Sequence, residues 1–472
     1  MRASLQGVSG QPHARRCESK ERPIWSFSGF NSKPERRSTS GGNRKKNMSL
    51  APKMLCGYRV LDITQFVAGP TCTRLLAEAG ADVIKIELAP TGDRSRFQGL
   101  KPRSPEYKNT SQSTYYFQQN HSKRSLALDF KHPKGRELLR KLVAKCDVVV
   151  ENFTPGVMSR AGLGYEDLRK INPKIIMCSI SFAGQSGPLS DKPGYDYIAQ
   201  ALAGITGVIG EPDGKPAQVP IAIGDASTGV AAAMAVGFAL LHRERTGEGQ
   251  FIEATLVDTY FHMHEANVPK VAIRGNSFIP KREGSLHPNG GPVGVFDCGR
   301  DEYLVICALA HQWPQLIKAL GMPELEKDPR FASARARSDN NRLIADVIEK
   351  WLKSFPSRDA AIAALEKERI PCAPVLTLND AMAQPHLMER GTVRQVRDPQ
   401  IGPFAIPGSP VRFSAWSDDS ELRADLLGEH NEKILGDVGL TNEDIAQLYS
   451  ENVIVRDALL NIPAEQLHSK AS

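Results

Sequence analysis

A chain of 472 residues, 41% apolar and 24% charged, is long enough for two or more domains and has the composition of a globular protein. Its formal charge of +7 is concentrated at one end. Residues 1–47 carry 11 Lys and Arg against three Glu, so the remainder is nearly neutral and offers no basic face for nucleic acid. No apolar run is expected to reach the ~20 residues of a membrane helix. Cys17, Cys56, Cys72, Cys146, Cys178, Cys298, Cys307 and Cys372 form no CxxC pair and no Cys/His cluster at metal spacing, so reduced thiols and no metal are expected.

Residues 1–50 mix Arg, Ser, Gly and Asn without hydrophobic periodicity and are expected to be a disordered extension. They lack the apolar core of a secretory signal. A mitochondrial presequence stays open, against Glu18, Glu21 and Glu35, and so does a true start at Met48 or Met54. Order is expected from Gly57. Residues 58–63 read as a strand, 68–77 as a helix and 82–87 as a second strand, a βαβ unit that predicts parallel pairing. Its turn lacks GxGxxG, so no nicotinamide or flavin dinucleotide is indicated.

Residues 125–130, 147–152 and 174–180 read as further strands. The spacing predicts a helix over 133–146 with Leu138, Leu139, Leu142 and Val143 on one face. Strands recurring every 30–50 residues with helices between them predict a doubly wound α/β sheet. Next come a buried extended stretch ending at 219–223, an Ala-rich helix over 227–245 and a strand over 250–257. Residues 274–294, rich in Gly, Pro, Asn and charge, read as a long loop. A strand over 302–308 and helices through Lys367 then suggest a smaller α+β domain over 275–380, after a large α/β domain over 55–274. Asp225 stands alone at the junction before the Ala-rich helix. It is either a helix cap or a working carboxylate, and the neighbouring helix-terminal amides are expected to hold it ionised.

Nine runs in order resemble the class III CoA-transferase family, which includes formyl-CoA:oxalate, succinyl-CoA and carnitine-type enzymes and has α-methylacyl-CoA racemase as a relative. They are VLDITQFVAGPTCTRLLAEAGADVIKIE (60–87), KRSLALDFK (123–131), DVVVENFTPGVMSRAGLGYEDL (147–168), NPKIIMCSISFAGQSGP (172–188), PGYDYIAQALAG (193–204), GDASTG (224–229), RTGEGQFIEATLVD (245–258), IPCAPV (370–375) and LLGEH (426–430). The resemblance implies a Rossmann-like large domain, a small domain, a segment over 381–460 returning to the large domain, and an interlocked homodimer. It also implies an acyl-CoA:carboxylate CoA-transferase working through aspartyl anhydride and aspartyl-CoA thioester intermediates. The substrates would be an acyl-CoA and a small carboxylic acid. No permanently bound cofactor, nucleic-acid partner or membrane is expected, and the cytoplasm is the expected compartment, with the mitochondrial matrix as alternative.

By resemblance, Asp225 is the nucleophile and Asp196 an acidic residue lining the site, although a turn Asp after Pro193-Gly194 is the ordinary alternative. Gly290 and Gly291 belong to a loop expected to close over the site. Lys131, Asn152, Phe153 and Arg160 match CoA-contacting positions, Leu128 lines the nucleotide, and Phe66 and Val67 are counted with them. Solvated charges at Lys131 and Arg160 and a core role for Phe153 stay open. Several departures narrow the substrate. Val67 and Leu88 replace the Gln and Arg of formyl-CoA-type enzymes, and the loop His287–Pro292 keeps only two glycines of their run of four. Tyr195 stands where the racemases carry a catalytic His, and no obvious counterpart of the racemase Glu appears near Ala310-His311-Gln312. A racemase or hydrolase on the same scaffold, or a catalytically silent CoA-binding protein, are the competing readings.

Overall fold

The apolar runs of the first half form β1 (Arg59–Ile63), β2 (Asp82–Glu87), β3 (Arg124–Ala127), β4 (Val148–Glu151), β5 (Ile176–Ser181) and β6 (Phe251–Thr255). The computed structural model describes residues 53–102, 110–287, 291–416 and 421–461, so the extension expected over 1–50 lies outside the described residues. The six strands make one sheet in the order β3-β2-β1-β4-β5-β6. Pairing is parallel for β1 with β2 and β4, for β2 with β3 and for β4 with β5, with Leu61 opposite both Ile84 and Val149. The order reverses between β1 and β4. In such sheets ligands sit in the crevice at the carboxyl ends of the two strands flanking that reversal.

Two compact units are present. The first comprises Met1–Ser181, Thr228–Ala254 and Gln395–Ser472, and the second Phe182–Ser227 and Thr255–Arg394. Residues 182–227 and 255–274 therefore group with the second unit, whereas the sequence suggests a large domain over 55–274. In the first unit the helix Pro133–Val143 buries Leu138, Leu139, Leu142 and Val143 against the sheet, the face its spacing predicts. Ile434, Leu435, Ile445, Leu448, Val453 and Ile454 of the C-terminal segment join the same core.

Helix Ile223–Thr246 corrects the expectation about apolar runs, because it is long and apolar enough by composition to cross a membrane. Ala, with Val, Met, Phe and Leu spaced among small residues, supplies that hydropathy, so no unbroken run of large apolar residues marks it. In the first unit it buries Thr228, Ala232, Val236, Ala239 and Leu240. A Cβ on Gly229 would lie 2.5 Å from the Ala68 carbonyl, so this helix packs closer than any side chain would allow. Arg243 pairs with Asp147 at 2.8 Å.

The second unit holds β7 (Val293–Asp297), β8 (Tyr303–Cys307) and β9 (Cys372–Pro374), antiparallel in that order. Helices Trp313–Leu320, Asn341–Lys353 and Arg358–Lys367 cover this sheet through Leu316, Ile344, Ile348, Leu352 and Leu365. The expected strand over 250–257 ends early, and its last residues start a helix, Leu256–His262, capped by the Thr255 hydroxyl. The seven described cysteines are all free thiols.

In and beside β1, β2 and β3 lie six charged side chains almost wholly removed from water: Asp62, Lys85, Glu87, Asp93, Arg96 and Lys123. Lys123 Nζ is 2.9 Å from Asp62 Oδ2, Lys85 Nζ is 3.0 Å from Asp93 Oδ2, and the Arg96 guanidinium is 2.6 Å from Glu87. Burial pushes the Asp62 carboxyl up, but Lys123, Lys85 and the hydroxyls of Thr64 and Thr73 outweigh it and hold it at about 2. Glu87 is likewise held at about 2, where Arg96 and Ser125 outweigh burial. The stability these two groups contribute is present above the ordinary carboxylate range and is lost as pH falls through about 2.

Removing one carboxylate would leave a buried ammonium unmatched. Asp62→Ala is expected to lower the unfolding free energy by about 3–5 kcal/mol, read from urea denaturation at neutral pH.

Candidate active site

In the second unit, two short segments converge on one carboxyl. Gly194 lies flat on the Phe182 ring, since a Cβ there would be 2.2 Å from a ring carbon. The chain then turns at Tyr195 into helix Asp196–Leu202, with Asp196 buried as its first residue. Helix Ile223–Thr246 starts four residues earlier than its composition suggests, and 219–223 is not a buried extended stretch, Pro220 and Ile221 being exposed. Asp225 is therefore the third helical residue rather than the residue before the helix.

Tertiary partners account for this early start. The Asp225 amide donates to Asp196 Oδ2 at 2.7 Å, and the Gly224 amide donates to the Tyr260 hydroxyl at 3.1 Å. Tyr260 in turn donates to Asp196 Oδ1 at 2.7 Å, and Gln200 Nε2 donates to Tyr260 at 3.2 Å. The first-turn amides of a helix have no partner within it, and here side chains from two other helices take them up. The Ala226 amide is bound to the Ala222 carbonyl. These amides are thus already taken up and not free to receive a developing oxyanion.

The Asp225 carboxyl is half-buried and accepts no hydrogen bond among the described residues. Burial, and then the charge of Asp196, push it up to about 7. This also reverses the expectation that the helix terminus keeps Asp225 ionised, because the helix dipole is a smaller effect than desolvation beside a second carboxylate. The arrangement gives a carboxyl with both oxygens open, ionising near neutrality, on a backbone fixed by its neighbour. Such a group can act as a nucleophile or as a general acid or base.

In the first unit, the residues expected to contact CoA fall into two groups. Phe66 and Val67 follow β1, and Asn152 and Phe153 follow β4, so these four meet at the reversal of strand order. Asn152 clamps the two loops by accepting from the Gln65 amide and donating to its carbonyl, both at 2.8 Å. Phe66 adopts a left-handed φ of 67°, and its amide is bound by Asp93 Oδ1 at 3.2 Å. Phe153 packs edge-on against Phe130 with ring centres 5.9 Å apart. Lys131 and Arg160 are exposed, and neither pairs with a carboxylate among the described residues.

The Leu128 side chain is fully buried in the apolar core, just past the end of β3, where its backbone bridges Ile454, so the side chain faces the core rather than a pocket. Gly291 packs closely, since a Cβ there would be 2.2 Å from the Ala308 carbonyl oxygen; Gly290 lies outside the described residues. The sequence reading missed Tyr260 and Gln200, which carry no local signal. It also missed Glu151, which burial raises to about 7 although the Ser179 hydroxyl and the Phe153 amide bind it. Its place at the end of an all-apolar strand was the available clue. No group of His, Cys, Asp and Glu suited to a metal occurs among the described residues.

A sequence model of CoA-transferase family III matches residues 55–431. The chain is 36% identical over 400 residues to succinyl-CoA:glutarate CoA-transferase of Mus musculus, covering 82% of this chain and 86% of that protein. It is 33% identical over 405 residues to succinyl-CoA–D-citramalate CoA-transferase of Chloroflexus aurantiacus, covering 85% of this chain and 98% of the other. A solved structure of a CaiB/BaiF family protein from Brucella suis superimposes with a TM-score of 0.68 at 35% identity, covering 82% of this chain and all of that one.

The raised Asp225 carboxyl sets a pH dependence. If its anion is the reacting form, kcat/KM for an acyl-CoA rises with pH and levels off above about 7. Asp196→Asn removes the neighbouring charge and should shift that rise to lower pH, as initial rates across the pH range would show.

Proposed function

Because the chain belongs to CoA-transferase family III and is a CoA-transferase in kind, we propose that it moves CoA from succinyl-CoA to a second carboxylic acid with Asp225 as covalent nucleophile. The observation that carries this reading is the Asp225 carboxyl: open at both oxygens, pushed up to about 7, and backbone-bonded to Asp196. The names of the two curated relatives support succinyl-CoA as donor and a dicarboxylate as acceptor.

In this mechanism the Asp225 carboxylate attacks the thioester carbonyl, CoA thiolate leaves and a mixed anhydride forms. The thiolate attacks the aspartyl carbonyl, the donor acid leaves and an enzyme–CoA thioester remains. The acceptor carboxylate attacks that thioester, expelling CoA thiolate, and the thiolate takes the acceptor acyl group and frees Asp225. Every step exchanges one acyl bond for another, so no net proton or redox partner is needed. The Asp196 charge raises the energy of the ground-state Asp225 anion and therefore favours the neutral acyl forms. CoA is assigned to the first unit, with Lys131 and Arg160 as cations for phosphate and Phe66, Val67, Asn152 and Phe153 along the thiol-bearing arm. The racemase alternative lacks support because Tyr195 replaces the His it would need.

A homodimer belongs to this proposal. Helix Ile223–Thr246 presents Val230, Met234, Phe238 and Leu241 outward, each 45% exposed or more, in a single stripe. A second copy of the chain is the proposed cover. The cytoplasm is the proposed compartment, and the matrix is the alternative if residues 1–47 act as a presequence.

Two measurements test these proposals. Protein incubated with succinyl-CoA and then treated with borohydride or hydroxylamine should be modified at Asp225, as mass spectrometry would read, and Asp225→Ala should lose at least about 10³-fold in turnover. Substantial turnover by that variant would sink the mechanism. Light scattering should give a dimer mass that Phe238→Asp shifts toward monomer.

A further inference from the structure

We propose that Tyr260 is a positioning residue for the Asp225 nucleophile. Its hydroxyl locks the Asp196 carboxylate to the first turn of helix Ile223–Thr246 and tempers the negative charge that Asp225 meets. The proposal rests on the reading of Asp225 as nucleophile.

A tyrosine hydroxyl has one proton to donate and two lone pairs to accept with, and all three are used here. Tyr260 donates to Asp196 Oδ1 and accepts from the Gly224 amide and from Gln200 Nε2. Gln200 is itself anchored, because its Oε1 accepts from the Val219 amide at 3.0 Å and from Thr206 at 3.3 Å. The other oxygen of Asp196 takes the Asp225 amide. Consecutive amides, Gly224 and Asp225, are thus held by one hydroxyl–carboxylate pair, and the backbone that carries the Asp225 side chain cannot turn without breaking both bonds.

Packing supports the same role. The Tyr260 ring lies against Gly224 so closely that a Cβ there would be 2.1 Å from a ring carbon. Glycine before Asp225 therefore admits the ring, and the ring brings the hydroxyl to the helix end. Tyr260 is itself buried, and burial and then its bond to Asp196 push its hydroxyl above the usual phenol range, so it remains a neutral donor at physiological pH. Asp196 and Gln200 reach this turn from one helix and Tyr260 from another. Among the described residues Asp196 is the charge that acts on Asp225. A hydrogen bond from Tyr260 draws electron density from that carboxylate and weakens its repulsion of Asp225.

The test uses the full-length enzyme with succinyl-CoA and an acceptor acid. Tyr260→Phe keeps the ring and removes the hydroxyl. The expected result is a loss of roughly 100-fold in kcat, as for a slightly misplaced reacting group, with KM for succinyl-CoA unchanged. The acid limb of the rate profile should move to higher pH, because Asp225 then faces an untempered charge. Incorporating 3-fluorotyrosine at position 260 strengthens the donor and should move the limb the other way. Tyr260→Phe combined with Asp196→Asn should cost less than the product of the two separate losses, since both act through one unit. A wild-type kcat and an unmoved limb in Tyr260→Phe, with Asp225→Ala inactive, overturn the positioning role while leaving the nucleophile intact. A reduced kcat with an unmoved limb and independent losses also overturns it, as the signature of a merely structural tyrosine. If Tyr260→Phe does not fold, an unmoved limb in the fluorotyrosine protein overturns it as well. Turnover by Asp225→Ala would instead remove the reading on which the proposal rests.

Discussion

Burying three acids with three bases in and beside β1, β2 and β3 constrains the architecture around the strand-order reversal. Each charge alone would be costly in a low-dielectric interior, so the group holds together only as a matched set. The set also directs the chain. Lys85 Nζ reaches the Thr64 carbonyl at 2.5 Å, Asp62 binds the Thr64 amide and hydroxyl, and Asp93 binds the Phe66 amide. Two loop positions after β1, Thr64 and Phe66, are thereby fixed from below, the second a Phe in a left-handed conformation that an unsupported loop would abandon. The Asn152 clamp then ties that loop to the one after β4.

The second unit uses burial in the opposite way. Among the described residues no hydrogen-bond donor binds the Asp225 carboxyl, and the charge that acts on it is another carboxylate, Asp196. Burial pushes both carboxyls up, yet Asp62 is held near 2 as an inert structural acid while Asp225 is left near 7. The difference lies in the company each keeps: two ammonium groups and two hydroxyls around Asp62, one carboxylate beside Asp225. A buried acid matched by bases stabilises a fold, whereas a buried acid facing another acid is held at a raised, near-neutral ionisation of the kind that reactive groups use.

Helix Ile223–Thr246 gathers these roles in one element. Its first turn carries Asp225, its small-residue face closes on the first helix of the sheet, and its outward face is apolar. Ala, Gly and Thr serve close packing on one side, and Met and Phe on the other leave a surface that water covers poorly.

Periodicity alone determined much of the fold. The strands expected over 58–63, 82–87, 147–152 and 174–180 are found as β1, β2, β4 and β5 within one or two residues of those bounds, and the Leu138–Val143 face is buried, because apolar spacing reflects which side of an element meets the sheet. The nine runs pointed to the family, and Asp225, Asp196, Asn152 and Phe153 were legible as site candidates from them. Other features were decided only in three dimensions. Leu128 looks the same in sequence whether it lines a pocket or a core. The start of the Asp225 helix depended on Tyr260 and Asp196, which lie 35 residues after Asp225 and 29 before it along the chain. The ionisation of Asp225 was set by burial and a like charge, terms that outweigh the helix-end effect visible locally. The physical reason is the same in each case: hydrophobic period and turn chemistry act between near neighbours and are written along the chain, whereas burial, close packing and charge pairing depend on which distant residues the fold brings together.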